Sequence, residues 1–336
     1  EHRMTDPTPD RPLVTFALFA YNQEQYIREA VEGAFSQTYE PLEIILSDDC
    51  SSDRTFEIMQ EMSAAYEGPH EVRVRRSIAN VGTLAHLLNA AKESKGKIFV
   101  VAAGDDISLP ERTAVMAQTM LEASSDQVVA SSDDEIFDNE GKVCRSTTYI
   151  AQRRRRYKKQ RAWFHGATAC YRTKELRLLP IPENKILFED IALQAVFSGT
   201  GMTSIRIEKP LVRRRSHAEN VGQIRQLRQP GQWPIEEQAL LAMASAAEAY
   251  SYAAVVVKSR GYDGAVLLSK AEFCRSYSRW PSEGFSGRIL LLPPALRYGY
   301  GKAVAIRIPG KWSLVLLKSV LVFMRRALSN LRALAS

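Results

Sequence analysis

The chain has 336 residues, 45% of them hydrophobic and 25% charged, which is ordinary for a soluble globular protein and enough for one large domain with an appendage. Its four cysteines lie far apart and lack the Cys-x-x-Cys or histidine spacing of a zinc site, so we expect structural thiols in a reducing compartment. The net charge of +7 is concentrated at one end, since residues 284–336 carry nine Lys or Arg and no Asp or Glu.

The first part of the chain alternates short apolar runs with amphipathic segments. The apolar runs and one alternating segment predict strands at 13–20, 42–47, 72–75 and 97–103. Helical spacing predicts helices at 24–35, 52–66 and 84–91. Strands and helices that alternate so regularly predict a mostly parallel sheet connected by right-handed crossovers.

After Pro110 the pattern is less regular. The elements that it predicts are a helix at 111–123, a strand at 127–131, a helix at 187–197, two short strands within 203–215 around Lys209-Pro210, an Ala-rich helical region from 235 to 262, and a last helix at 312–334.

Two predicted strands are each followed by a pair of aspartates. Asp48-Asp49 follow the run that begins at Leu42, and Asp105-Asp106 follow the run at 98–103. Ligands of open α/β sheets bind at the carboxyl ends of strands, and adjacent carboxylates are tolerated best at solvent or around a cation. A helix cap or a turn explains one such pair. Two pairs in one predicted sheet indicate a site for a nucleotide and a metal.

The order of the motifs resembles that of the family 2 glycosyltransferases, which are inverting enzymes with the GT-A-type nucleotide-sugar-binding fold. The resemblance covers about 20–215 and is carried by Phe19-Ala20-Tyr21-Asn22-Gln23-Glu24, Ser36-Gln37-Thr38-Tyr39, Ser47-Asp48-Asp49-Cys50-Ser51-Ser52-Asp53-Arg54-Thr55, Asn80-Val81-Gly82, Gly104-Asp105-Asp106 and Glu189-Asp190.

The resemblance implies a Rossmann-like α/β fold, with a mostly parallel sheet flanked by helices and a helical C-terminal extension. The implied parts are a flexible N-terminus at 1–11, a catalytic domain at 12–225 with a nucleotide-sugar half (12–110) and an acceptor half (111–225), and a helical C-terminal region at 235–336.

A donor site follows from the same resemblance. Asp49 would accept a hydrogen bond from the base, because an ionised carboxylate suits the imide N–H of uracil or thymine. Asp106 would hold Mn²⁺ or Mg²⁺, with His217 at phosphate or metal and Asp105 nearer the ribose or sugar. Helix caps, a turn and a plain loop histidine are the structural alternatives. The residues implied for nucleotide and donor binding are Phe19, Tyr21, Asn22, Glu24, Asp48, Asp49, Asn80, Gly82, Gly104 and Asp105.

The catalytic base is implied at the predicted helix start near 189. Asp190 matches the family's general base, which would deprotonate the acceptor hydroxyl, and Glu189 is the rival. Acidic residues in a first turn also stabilise a helix without any catalytic role. On the acceptor side the resemblance implies Trp163, Gly166 and Ala167, with burial of Trp163 in the core as the alternative.

Two basic segments bear on partners. The run at 153–161 is either a solvated loop or a site for an anionic acceptor such as a carrier-lipid diphosphate, and no nucleic-acid-binding motif accompanies it. The basic amphipathic helix predicted at 312–334 favours binding of 284–336 to an anionic membrane surface. Packing on the catalytic domain or in a homo-oligomer is the alternative. With no signal peptide at the polar N-terminus, we expect a cytoplasmic protein at the inner face of the membrane.

The sequence therefore predicts an inverting, metal-dependent glycosyltransferase that moves a sugar from a nucleotide-diphosphate donor, with UDP-sugars favoured. The expected acceptor is a hydroxyl of a cell-envelope polysaccharide or glycolipid. One alternative is a sugar nucleotidyltransferase, but Ala20 to Glu24 lacks the Gly-rich basic loop that such enzymes carry after the first strand. The other is a non-catalytic nucleotide- or sugar-binding module, which would not need a base at Asp190.

Overall fold

The structure is a computed structural model that describes residues 11–138, 140–146, 161–217 and 236–278. Its strands are β1 (Val14–Ala20), β2 (Leu42–Asp48), β3 (Glu71–Arg76), β4 (Ile98–Ala103), β5 (Ile107–Ser108), β6 (Gln127–Phe137), β7 (Val143–Ser146), β8 (Ala169–Arg172) and β9 (Thr203–Arg215). Its helices are α1 (Ile27–Phe35), α2 (Thr55–Ala64), α3 (Thr83–Glu93), α4 (Arg112–Glu122), α5 (Thr173–Arg177), α6 (Glu189–Gly199), α7 (Glu236–Ser259) and α8 (Ala265–Ser278).

The strands form one mixed sheet in the order β3-β2-β1-β4-β8-β6-β9-β5, with β7 paired to β6. Strands β1 to β4 pair in parallel, β8 is antiparallel to both β4 and β6, and β6 pairs in parallel with β9. Strands β1, β2, β4, β6 and β9 therefore run in the same direction. Their C-terminal ends lie at the same edge of the sheet, which is where both aspartate pairs are.

Helices cover both faces of the sheet, which confirms the predicted α/β class. Phe16 and Leu18 of β1 lie in an apolar cluster with residues of α1, α2 and α4. Ala17, between them, lies in a second cluster with residues of α3, α6 and α7. This alternation follows from the two-residue period of a strand, and burial on both faces explains why these strands are continuous apolar runs.

Several predicted boundaries differ from those observed. Helix α1 begins at Ile27 rather than at 24, because Gln23 O accepts hydrogen bonds from the N–H groups of both Tyr26 and Ile27 in a preceding turn. The prediction of two strands within 203–215 is wrong, since β9 is continuous and its pairing with β6 changes register next to Pro210. A proline is accepted at such an irregularity because no ladder hydrogen bond is needed there. Helix α8 lies within the region 235–336 that was expected to be helical, although no separate helix was predicted at its position.

The basic run at 153–160 and the last predicted helix at 312–334 lie outside the described residues, as do residues 1–10. Among the helices that the structure does describe, none combines the length and the apolar character needed to cross a membrane.

Candidate active site

The loops that follow β1 and β2 are joined by reciprocal hydrogen bonds. Asn22, with a positive φ of 51°, accepts at Oδ1 from the Ser52 N–H over 2.8 Å. Asp53 Oδ2 accepts from the Glu24 N–H over 3.0 Å, and Glu24 Oε2 accepts from the Arg54 N–H over 2.9 Å. Asn22 and Glu24, both predicted to bind the nucleotide-sugar donor, therefore connect the two loops at this edge of the sheet.

The first aspartate pair is buried at the end of β2. Both Asp49 carboxylate oxygens accept hydrogen bonds, one from the Val81 N–H and one from the Gly82 N–H, each over 3.1 Å. Asp48 is 0% exposed, accepts from the Ser51 N–H over 2.9 Å and lies 3.2 Å from Arg76 Nε. The structure thus brings Asp49 to the 80–82 loop.

A buried histidine, His86, hydrogen-bonds to Ser47, the residue directly before this aspartate pair. His86 Nε2 lies 2.6 Å from Ser47 Oγ, which also accepts from Arg75 Nη1 over 2.8 Å. Burial, reinforced by the nearby Arg75 charge, lowers the pKa of His86 to about 3, so the imidazole is neutral at physiological pH. The Phe19 ring meets His86 edge-on at 4.9 Å, so this predicted donor residue packs partly into the core.

The second aspartate pair begins beside β1. The Gly104 N–H donates to Phe19 O over 2.8 Å, and a Cβ at position 104 would lie only 2.7 Å from that of Ala20. Asp105 Oδ2 is 3.0 Å from His217 Nε2. Asp106 is 5% exposed and accepts from the Arg215 N–H over 2.9 Å. Burial, followed by the neighbouring Asp105 charge, raises the pKa of Asp106 well above its usual range.

The end of β9 brings positive charge to these carboxylates. Arg214 Nε lies 2.6 Å from Asp134 Oδ2. Although burial opposes its charge, the carboxylates of Asp134, Asp106 and Asp105 raise the pKa of Arg214. The Arg215 guanidinium stacks over the Tyr26 ring, 5.0 Å from its centroid, and the centroid of the His217 ring also lies 4.6 Å from that of Tyr26. Tyr26 and the β9 end therefore hold His217 against Asp105.

The predicted base lies at the start of α6, against the 3₁₀ turn Gly166–Thr168. Gly166 is so close to Glu189 that an added Cβ would lie 2.0 Å from Glu189 Oε1 and 3.5 Å from the Asp190 Cβ. The turn is held by Thr168 Oγ1, which lies 2.9 Å from Ser131 Oγ. A side chain at position 166 would therefore displace the Glu189 carboxylate from its present place.

The segment that carries Gly82 contacts the loop that precedes α6. Ile186 O accepts from the Leu84 N–H over 3.2 Å and from Thr83 Oγ1 over 3.0 Å. A Cβ on Gly82, whose φ is 83°, would lie 3.2 Å from the Ile186 N. Glycine suits position 82 of the Asn80-Val81-Gly82 motif because φ is positive there and because the backbone of Ile186 lies close to it.

Not every predicted residue joins this group. Tyr21 is 48% exposed. The Trp163 N–H donates to Ser204 Oγ over 2.9 Å, at the start of β9. Arg215 is at the other end of that strand, about 36 Å away at the usual rise per residue. The contacts of Trp163 therefore place it away from the aspartates, whereas Gly166 and Ala167 lie beside α6.

Sequence reasoning missed the residues that neutralise and brace the site, namely His86, Arg112 and Arg214. A buried histidine on an amphipathic helix and an arginine in a first helical turn give no local signal. Only the run of three arginines at 213–215, directly before His217, offered a hint.

Residues 15–177 match the model of the family described as Glycosyl transferase family 2. The chain carries a family 2 glycosyltransferase domain. The match ends before Glu189, so helices α6, α7 and α8 lie beyond it.

Curated relatives and a solved structure agree with this assignment. An uncharacterized Mycobacterium tuberculosis protein is 38% identical over 88 residues, which is 26% of this chain and 25% of that protein. The putative teichuronic acid biosynthesis glycosyltransferase TuaG of Bacillus subtilis is 27% identical over 114 residues, 34% of this chain and 44% of TuaG. The chain spans about a quarter of the length of the mycobacterial relative that it matches.

The structure of the mannosyltransferase PcManGT from Pyrobaculum calidifontis, in complex with GDP-Man and Mn²⁺, has a TM-score of 0.50. It is 15% identical, over 92% of this chain and 86% of that one. At that identity the likeness concerns the fold alone, and it agrees with the GT-A-type fold predicted from the motifs.

Proposed function

We propose that this glycosyltransferase is an inverting enzyme that transfers a sugar from a nucleoside-diphosphate donor, with UDP-sugars favoured, to a hydroxyl of its acceptor. The observation that carries the proposal is that Asp49 follows β2 while Asp105 and Asp106 follow β4, the two parallel neighbours of β1, so all three lie at one edge of the sheet. The loop that Asp49 holds leads to Leu84, whose N–H donates to Ile186 O just before the helix that begins at Glu189. An inverting displacement needs carboxylates at the nucleotide-sugar donor and a carboxylate base at the acceptor hydroxyl, and these two groups lie on connected parts of the chain.

In this proposal the nucleobase of the nucleotide-sugar donor binds near Asp49 and Asn22. Each carboxylate oxygen has two lone pairs, so Asp49 retains acceptor capacity after it holds the Val81 and Gly82 N–H groups. The carboxylate of Asp49 also holds the 80–82 loop in place, so the same residue would both order this loop and accept a hydrogen bond from the nucleobase.

The residues around Asp105 fit a divalent cation. Carboxylate oxygen suits Mn²⁺ and Mg²⁺, and the imidazole of His217 lies 3.0 Å from that carboxylate. The sequence motif favoured Asp106 as the ligand, but Asp106 is buried and accepts the Arg215 N–H, so the contacts favour Asp105 with His217. No three His, Cys, Asp or Glu side chains of the described residues form a metal-binding group. A cation would therefore need diphosphate oxygens as further ligands, and when bound it would stabilise the leaving diphosphate.

The acceptor hydroxyl is deprotonated by a carboxylate at the start of α6. In the proposed step the hydroxyl oxygen attacks the anomeric carbon, its proton passes to Asp190, and the bond from that carbon to the diphosphate oxygen breaks. Glu189, packed against Gly166, supports the 166–168 turn beside which the acceptor binds. The likeness to TuaG supports a cell-envelope glycan or glycolipid as the acceptor.

Titration calorimetry with UDP, GDP and TDP, each with and without Mn²⁺, tests the donor assignment. We expect one of them to bind, more tightly with Mn²⁺, and Asp105→Asn to lose the effect of the metal. If Asp105→Asn keeps the effect of the metal while Asp106→Asn loses it, the ligand is Asp106, as the motif implied. If none of the three nucleotides binds under either condition, the proposal is wrong.

Base assignment is tested by a pair of substitutions. Asp190→Asn should leave nucleotide affinity nearly unchanged and lower transfer by roughly 10²- to 10⁴-fold, the usual contribution of a general base. If Asp190→Asn keeps the wild-type rate while Glu189→Gln loses it, the base is Glu189.

A further inference from the structure

The first residue of α4, Arg112, is the largest of the fully buried side chains in the described part of the chain. Its Nη1 donates to Ser108 Oγ over 2.8 Å. Its Nη2 donates to Val101 O over 2.6 Å and to Ala167 O over 3.1 Å. One guanidinium therefore bonds to β4, to β5 and to the turn at Ala167, which is 55 residues away along the chain.

These partners lie on both sides of the active site. Val101 is in β4, directly before the Gly104-Asp105-Asp106 motif, and Ser108 is in β5, directly after it. Ala167 is in the 3₁₀ turn that contacts Glu189 through Gly166. Arg112 is thus a direct physical link between the strand that carries the metal-side aspartates and the turn that carries the base-side contact.

The chemistry of arginine is needed for this link. A buried cation is costly unless it is hydrogen-bonded, and here the guanidinium gains two backbone carbonyls and a hydroxyl. Burial lowers the pKa of Arg112 to about 10, so the side chain stays protonated near neutral pH. A planar fork reaches carbonyls on separate elements at fixed angles, whereas the ammonium of lysine has no such fixed geometry.

A second arginine offers a matched comparison at the opposite end of the same strands. Arg172 is the last residue of β8, and its register partner Ile98 is the first residue of β4. Arg172 also donates to three backbone carbonyls, those of Gln127 (3.1 Å), Ala123 (2.9 Å) and Ser124 (3.2 Å). Its contacts involve none of the site segments.

We propose that Arg112 is a positioning residue that sets the separation between the Asp105-Asp106 strand end and the Glu189-Asp190 helix start. It rests on the proposed function of those four carboxylates. Through Ala167 O and Val101 O, Arg112 aligns the base side with the donor side without contact to either substrate. Loss of Arg112 therefore affects the transfer step more than it affects binding of the nucleotide.

The test compares Arg112→Lys and Arg112→Met with Arg172→Lys in the full chain. For both Arg112 variants we expect UDP affinity, measured with Mn²⁺, to stay within about two-fold, because the donor loops keep their own hydrogen bonds. We expect kcat for release of UDP, from the most active sugar of a UDP-sugar panel, to fall by roughly 10- to 100-fold, as for a misplacement of about 1 Å. Amide hydrogen exchange at 166–168 should speed up.

Arg172→Lys should lower the melting temperature as much as Arg112→Lys while kcat stays close to wild type. The proposal is overturned if the two lysine variants lose kcat equally at equal loss of stability, or if Arg112→Lys keeps wild-type kcat. Arg112→Lys, which keeps the charge, decides the question if the methionine variant does not fold. Failure of the proposed function is a different result, namely no nucleotide binding by the wild type. In that case unchanged exchange at 166–168 in Arg112→Lys overturns the inference.

Discussion

His86 carries the clearest pH-dependent contribution to stability among the described residues. Its pKa is about 3 in the folded protein, against 6.5 for an ordinary histidine, because it is buried beside Ser47 and Arg75. Between these two values the unfolded chain binds a proton that the folded protein does not. Stability is therefore complete above pH 6.5 and is lost as the pH falls toward 3.

We predict that the free energy of unfolding falls by up to about 1.4 kcal/mol per pH unit on acidification through this window on account of His86. Urea denaturation of the wild type and of His86→Gln, at intervals from pH 7 to pH 4.5, measures the difference in slope. The interpretation fails if both proteins show the same slope.

Gly166 is the residue whose substitution should separate catalysis from folding. A methyl group at Gly166 would lie 2.0 Å from Glu189 Oε1, so Gly166→Ala must displace that carboxylate from its present place. We predict a loss of kcat of roughly 10- to 100-fold, as expected for misplaced catalytic groups, with nucleotide affinity unchanged. The rate of UDP release and calorimetry with UDP measure the two quantities.

The matched control is Gly199→Ala, at the other end of the same helix α6. A Cβ there would lie 2.8 Å from Val257 Cγ2, a clash with a buried side chain that is remote from the carboxylates. Its effect should appear in the melting temperature and not in kcat. Equal kcat losses in the two variants would mean that α6 as a whole, and not the Glu189 carboxylate, is sensitive to the clash.

At this scale the sequence predicted which acidic residues gather and missed what holds them. An aspartate pair after an apolar run is a local pattern, so Asp49 and Asp106 could be assigned to the sheet edge from sequence alone. The partners that brace them are the N–H groups of Val81 and Arg215 and, through the adjoining segments, the guanidinium of Arg112. These come from elsewhere in the chain, and no local spacing reveals them.

Among the elements, the connection from α1 to β2 depends on one side chain of the Ser36-Gln37-Thr38-Tyr39 motif. Gln37, which is 4% exposed, donates from Nε2 to Gly33 O and Leu109 O over 2.8 and 3.0 Å. Its Oε1 accepts from the Thr113 N–H over 2.9 Å and from Thr113 Oγ1 over 2.6 Å. The motif therefore connects the end of α1 to the start of α4, at the residue directly after Arg112.

We predict that Gln37→Ala destabilises the protein by about 2 to 4 kcal/mol, because unpaired buried groups cost about 1 to 3 kcal/mol each. Nucleotide affinity should change little at a temperature where the variant is folded. Denaturant unfolding and calorimetry with UDP give the two values, with Gln118→Ala, whose amide donates only to the neighbouring Glu122, as the control. A Gln37→Ala protein with wild-type stability would show that these four hydrogen bonds contribute nothing net.

Strand β9 shows why periodicity alone misjudged one element. In the sequence, Lys209-Pro210 indicates a break between two short strands. In the structure Asp133 faces Pro210, and on either side of it Arg206 and Arg214 form ion pairs with Asp133 and Asp134. Pairing with β6 therefore carries the strand through the proline. Such cross-strand pairs depend on which strands become neighbours, and that information is not local.

For the whole molecule, the parallel strands β1, β2 and β4 form the edge at which both aspartate pairs lie, and the antiparallel strand β8 joins them to the β6-β9 pair. The alternation of strands and helices was sufficient to predict the first half. The second half could not be predicted in the same way, since β8 has four residues and β5 has two, too short for a periodic signal.

The basic C-terminal segment 284–336 is the remaining feature at this scale, and its sequence supports a proposal about location. Nine cations without an acidic residue would repel one another in an ordinary packed subdomain. Near an anionic leaflet each contributes about 1 kcal/mol within a Debye length. We propose that this segment docks the enzyme on an anionic membrane surface, close to a lipid-linked or envelope acceptor.

We predict that replacing Lys318, Arg325, Arg326 and Arg332 by Gln in the full chain lowers binding to anionic liposomes at least about ten-fold, since up to four favourable contacts are lost. Co-sedimentation at several anionic lipid fractions and salt concentrations measures the effect. A charge-matched control replaces four exposed cations of the catalytic domain, Arg28, Lys95, Lys174 and Lys209, by Gln. Binding that falls equally in both variants would indicate a general charge effect. Binding that is independent of anionic lipid and of salt would instead favour packing of the segment on the catalytic domain or on a second copy of the chain.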